Sequence, residues 1–142
     1  MKKILLAIAF IALAPCAYAA EPFCNTDSIH PIDAQFEREM DKSGGVTPLM
    51  RDAQDRAYDQ WDRELNWEYK ELMGLLSAEE KESLKKAQRA WLAFRDAETT
   101  FWWSESISDG GTLQPVIVSG YGLELLKARV CQLITYKKVV SR

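Results

Sequence analysis

"WDRELNWEYKELMGLLSAEEKESLKKAQRAWLAFRDAE", residues 61–98, contains two helical patterns separated by one break. At about 100° per residue, Trp61, Leu65, Tyr69, Leu72 and Leu76 fall on one side of the first, and Tyr58 extends the stripe upstream. Glu68 lies inside this stripe, while Asp62, Asn66 and Met73 line its edge. "SAEE" at 77–80 then opens a new helix as a capping box: Ser77 accepts from the Glu80 N–H, and Glu80 reaches back to the Ser77 N–H. The second stripe holds Leu84, Ala87, Trp91, Phe94, Phe101 and Trp102. Gly74 to Ser77 therefore reads as the bend of a helical hairpin, and the fold class as all-α.

The flanking segments continue the pattern. Ile32, Phe36 and Met40, four apart, predict a short helix from Pro31 to Met40, ended by "DKSGG". Thr47-Pro48 restarts the chain with Thr47 as N-cap and Pro48 where a missing N–H costs nothing, and that helix runs to about Leu75. "SDGGTLQP", residues 108–115, reads as a loop. The last helix spans about Val116 to Lys138 and buries Leu123, Leu126, Val130, Leu133 and Ile134, with Gly120 and Gly122 allowing a start as late as Gly122. The expected architecture is an antiparallel bundle of three long helices plus a short N-terminal helix, without internal repeats.

The first residues belong to a different regime. Lys2 and Lys3, an apolar run from Ile4 to Ala14, and Ala17 with Ala19 form a bacterial-type signal peptide over residues 1–19. The run is too short to span a bilayer, and nothing after residue 20 resembles a span. One domain, 20–142, is expected in the periplasm or secreted. Lipidation at Cys16 is the alternative, disfavoured by the proline directly before it. Losing two lysines and no acid takes the formal charge from −3 to −5, which argues against nucleic acid. Cleavage leaves Cys24 and Cys131, which form one disulfide in an oxidising compartment; two unpaired thiols are the competing reading. With His30 as the single histidine, a tetrahedral metal set is missing, and no cofactor is expected.

Candidate chemistry is sparse. Gln88 and Arg95 edge the second stripe and Glu98 falls inside it, where Arg95, one turn back, is spaced to pair with it. Glu98 reads either as an acid in a cleft or, preferably, as part of a polar cluster between helices, with Asn66 reaching toward Gln88 or Arg95. Asp96 and Arg89 fall near Lys85 on a solvated face. Trp67 and Trp103 project away from their stripes and are candidates for partner contact, as exposed aromatics often are. His30 has no serine-nucleophile motif beside it and no phosphate-cradling glycine loop follows a strand, so an enzyme is not expected.

Taken in order, D-x-E-L-N-x-x-Y over a span from Asp62 to Tyr69, Gln88-x-x-Trp91 and Arg95-Asp96 resemble the LprI-like lysozyme-inhibitor family, as do "GGT" at 110–112 and Arg129. The resemblance covers about residues 46–136. It implies a small exported helical protein, with lysozyme inhibition attributed to some members. Members commonly carry further cysteines, one near the position of Ala53, so the pairing of Cys24 with Cys131 is this chain's own. Asp62, Leu65, Asn66, Tyr69, Gln88, Trp91, Arg95 and Asp96 are expected to hold the fold. The expected partner is lysozyme or another cell-wall hydrolase. The alternatives are an immunity-type or envelope-associated binding protein and, at lower weight, a hydrolase. An acidic chain is steered toward strongly basic animal lysozymes. A Ser104 to Gln114 loop carrying Glu105 and Asp109 is expected to project into the partner's cleft.

Overall fold

A computed structural model of the chain describes Cys24, residues 28–108 and residues 110–142. The signal-peptide reading, Cys16 and Asp109 lie outside the described residues. The chain folds into helices α1 (Pro31–Ser43), α2 (Thr47–Leu75), α3 (Ala78–Trp102), α4 (Glu105–Ser108) and α5 (Gln114–Val140), with no strand among the described residues. Three long helices and a short N-terminal one match the expected all-α bundle, with α4 as an addition.

Local chemistry sets the boundaries. His30 caps α1, its Nδ1 accepting from the Ile32 N–H at 3.3 Å. Gly44 ends the helix at φ 58°, a left-handed conformation that L side chains rarely adopt, so α1 runs three residues past the expected Met40. At the start of α2, Val46 and not Thr47 is the N-cap, because the Val46 carbonyl already accepts from the Met50 N–H at 3.0 Å. The Ser77 capping box forms in both directions, at 2.8 and 3.4 Å.

Packing is unequal. The longest interface joins α2 to α5, α1 lies on α2, and α3 touches mainly α5. The core is built from Ala57, Trp61, Leu65 and Leu72 of α2, Leu84 of α3, and Leu123, Leu126, Val130 and Leu133 of α5. Tyr58, Tyr69, Leu76, Trp91 and Ile134 pack partly against it, as do Ile32 and Phe36 of α1. Gly120 allows the close approach of α2: a Cβ there would stand 3.4 Å from Gln54 Nε2, which donates to the Val116 carbonyl at 2.8 Å. That bond falls within the first turn of α5, which begins at Gln114 instead of Val116 or Gly122.

The α3 stripe is the main departure from the sequence reading. Of its apolar residues only Leu84 is buried; Ala87, Phe94 and Phe101 are exposed. Helical periodicity marks which residues share a face but not how closely a neighbour approaches that face. Here α3 leans on α5 and leaves part of its stripe to solvent.

The buried carboxylates of the bundle, Asp33 and Glu68, are paired with lysines. Trp61 Nε1 donates to Asp33 Oδ1 at 3.1 Å, and Lys127 Nζ lies 3.2 Å from Asp33 Oδ2, tying α1, α2 and α5 together. Glu68, inside the α2 stripe as its spacing predicts, is buried against Lys137 Nζ at 2.6 Å. Cys24 and Cys131 are joined as a disulfide, with Cα atoms 5.1 Å apart, fixing the segment before α1 to α5.

Candidate functional site

Where α3 stands off from α2, a cleft of about 310 Å³ opens. Its α2 wall is Asp62, Leu65, Asn66 and Tyr69, and its α3 wall is Lys85, Gln88, Arg89 and Leu92. Residues at i, i+3, i+4 and i+7 share one helix face, which is why one α2 motif supplies the whole wall. Asn66 does not cross to Gln88 or Arg95. Its Nδ2 donates back to the Asp62 carbonyl at 2.8 Å and to Asp62 Oδ2 at 3.0 Å, which occupies the amide on its own helix.

Behind the cleft runs a polar seam. Gln88 Oε1 accepts from Arg129 Nε of α5 at 3.0 Å, and Arg129 Nη1 donates to Gln132 Oε1. Arg129 is only 5% exposed; burial pushes its pKa below the ordinary value, and Nη2 is enclosed without a hydrogen-bond partner. Its guanidinium lies 5.8 Å from the centre of the Trp91 ring, and that of Arg95 lies 5.6 Å from the same ring. An aromatic face is attractive to a cation at these distances. The ring therefore offers both guanidinium groups an electrostatic contact.

Arg95 pairs with Asp96, not with Glu98. Its Nη2 donates to Asp96 Oδ1 at 2.8 Å and its Nη1 to the Tyr58 hydroxyl at 3.4 Å. Burial opposes the charge of Arg95, but the Asp96 hydrogen bond and the Tyr58 and Asp62 oxygens outweigh it and raise its pKa. Glu98, one turn on, is half-buried, and Asp96 stands on the solvated side as its spacing predicts. The Arg95 contacts hold α3 to α2, so Arg95→Ala is expected to lower unfolding free energy by about 1 kcal/mol, through a lost charged hydrogen bond and lost packing on Trp91. Chemical denaturation measures this. Normal stability with loss of a bound partner would instead make Arg95 a contact residue.

Of the four residues expected to meet a partner, Asp109 lies outside the described residues, and Trp67 stands apart from Trp103 and Glu105. Trp67 is half exposed, on the C-terminal half of α2, with Lys137 Nζ 4.5 Å from its ring centre. Trp103 is also half exposed but lies at the far end of the bundle, next to Glu105. The described residues between α3 and α5 are not a free loop. Residues 105–108 form α4, Ser108 is buried, and Gln114 Nε2 donates to the Trp103 carbonyl at 3.0 Å and to Ser108 Oγ at 2.7 Å. The contact of the Tyr58 hydroxyl with Arg95, Gln132 and the Asp33–Lys127 pair escaped the sequence reading. Tyr58 and Asp33 act through residues far away in the chain, which no local signal marks, whereas Gln132 meets Arg129 three residues before it.

Three comparisons bear on this arrangement. The profile of the family described as lysozyme inhibitor LprI matches residues 39–133, which contain the whole cleft and seam apart from the last turns of α5. An uncharacterised protein of Rhizobium meliloti (strain 1021) is 34% identical over 92 residues, spanning 56% of this chain and 65% of the relative, so the chain covers just under two thirds of it. The crystal structure of an uncharacterised protein from Burkholderia thailandensis shares the fold, with a TM-score of 0.69 and 21% identity, covering 81% of this chain and 57% of the other. The family match extends over most of the chain and includes both motif-bearing helices. The chain belongs to the LprI lysozyme-inhibitor family.

Proposed function

We propose that this protein is an exported, non-enzymatic binding protein that inhibits lysozyme or another cell-wall hydrolase, acting as a mature domain of residues 20–142. The observation that carries this reading is the family match over residues 39–133. Two features support it. The Cys24–Cys131 bridge suits an oxidising compartment, in keeping with a signal peptide at residues 1–19. The chain is acidic, with a formal charge of −3 before any cleavage, and acidity favours encounter with a basic enzyme. No helix among the described residues is long and apolar enough to cross a membrane.

In this reading the motif residues serve the scaffold. Asp62, Leu65, Asn66 and Tyr69 shape the cleft wall, while Gln88, Trp91 and Arg95 fix α3 to α5 and α2, and Asp96 holds the Arg95 guanidinium. Immobilised animal lysozyme is expected to retain the mature chain from solution, and to release it as salt rises. No retention at low salt would remove lysozyme as the partner, and retention of a different envelope protein from periplasm would replace it.

A further inference from the structure

Charge is divided along the bundle. Residues 31–62 and 95–126, the half containing α1, the start of α2, the end of α3, α4 and the start of α5, carry thirteen acids and five lysines or arginines. Residues 63–94 and 127–142, the other half, carry six acids and eleven lysines or arginines. The separation is sharpest from Asp96 to Leu126, which holds five acids and no lysine or arginine.

That same stretch presents an exposed apolar surface. Phe101 is 56% exposed, Leu113 50%, Trp103 47% and Tyr121 41%, with Ile107 and Ile117 close to 40%. Trp102 stacks on Tyr121 at 3.5 Å between ring centres and 18° between planes, joining the end of α3 to the start of α5 at this end of the bundle. Gln114 of α5 ties the same end together, donating to the Trp103 carbonyl after α3 and to Ser108 Oγ of α4. A pre-fixed surface loses little conformational freedom on binding, and exposed aromatics make effective anchors.

We propose that this acidic end, centred on Phe101, Trp103 and Glu105, is a docking surface for a basic protein that presents apolar side chains among its cations. For the partner's identity it rests on the inhibitory reading above; for its chemistry it rests on the charge division and the exposed rings. Charge complementarity selects this occupant over a second copy. A copy would have to offer its opposite, basic end, and such head-to-tail contacts build rings or open filaments instead of a two-fold pair.

The test compares three proteins by titration calorimetry at about 0.15 M salt, where exposed charges act over about 8 Å. They are the mature chain, the acidic-end variant Phe101→Ala/Trp103→Ala/Glu105→Gln, and the opposite-end variant Tyr136→Ala/Val139→Ala. All the substituted side chains are exposed, and thermal melts check folding. The probes are a basic animal lysozyme and a cationic lysine–leucine helical peptide. The mature chain and the opposite-end variant are expected to bind both probes alike, and the acidic-end variant roughly thirtyfold more weakly, the scale of one lost aromatic anchor. Peptide binding of this pattern without lysozyme binding would keep the surface and remove lysozyme as the partner. Lysozyme binding that ignores the acidic-end variant would overturn the surface while leaving the inhibitory reading intact. Failure to bind either probe, or self-association abolished by the acidic-end variant, would overturn the surface.

Discussion

Trp61→Ala is expected to lower the free energy of unfolding by about 3–5 kcal/mol, the cost of removing a large buried aromatic. Trp61 has no exposed surface and sits in the core that α2 shares with α5. Its indole also carries a polar duty, since Nε1 donates to Asp33, which is itself buried and paired with Lys127. Alanine therefore opens a cavity and removes a donor from a buried carboxylate. Trp61→Phe separates the two effects, keeping most of the volume and losing only the donor, at about 1–3 kcal/mol. Urea unfolding followed by circular dichroism measures both. Small domains have about 5–15 kcal/mol in total, so the alanine variant is expected near the edge of folding. A phenylalanine variant as unstable as the alanine variant would show that the hydrogen bond, not the volume, dominates.

Opening the Cys24–Cys131 bridge is expected to have an effect of similar size. The bridged residues are 107 apart in sequence, and in the chain-entropy account closing a loop of that length stabilises the fold by roughly 4–5 kcal/mol. Cys24→Ser/Cys131→Ser imposes the loss without a reductant. The bundle is expected to remain helical, because the core of α2 and α5 does not involve either cysteine. Its unfolding midpoint should fall well below that of the oxidised chain, and a reductant should shift the oxidised chain to the same midpoint. Coincident midpoints for the oxidised and serine forms would show that the bridge does not restrain the unfolded chain.

What was legible beforehand follows the range of the interactions involved. The Ser77–Glu80 capping box spans four residues and is visible in the string "SAEE". The α2 stripe was legible because Trp61, Leu65 and Leu72 bury against the bundle's longest interface. The same pattern on α3 overstated burial at Phe94 and Phe101, because nothing local records that α3 leans toward α5. Arg95 illustrates the limit at a single residue. Spacing offered Glu98 one turn on, but the side chain took the adjacent Asp96 and the distant Tyr58. The cleft was half legible. Its α2 motif was recognisable, but the gap depends on the distance between two helices. Asp33 gave no signal, since its partners Trp61 and Lys127 lie on other helices.

An acidic helical bundle that blocks a cell-wall hydrolase by binding it, as proposed above, must slow that enzyme's action on its substrate. The most direct measurement follows the lysis of a cell-wall suspension by a fixed amount of animal lysozyme as the mature, oxidised chain is added. Lysis is expected to slow in proportion to the chain added and to level off near equimolar ratio, with the acidic-end variant needing a large excess. Undiminished lysis at several-fold excess of the chain would contradict the proposed inhibition.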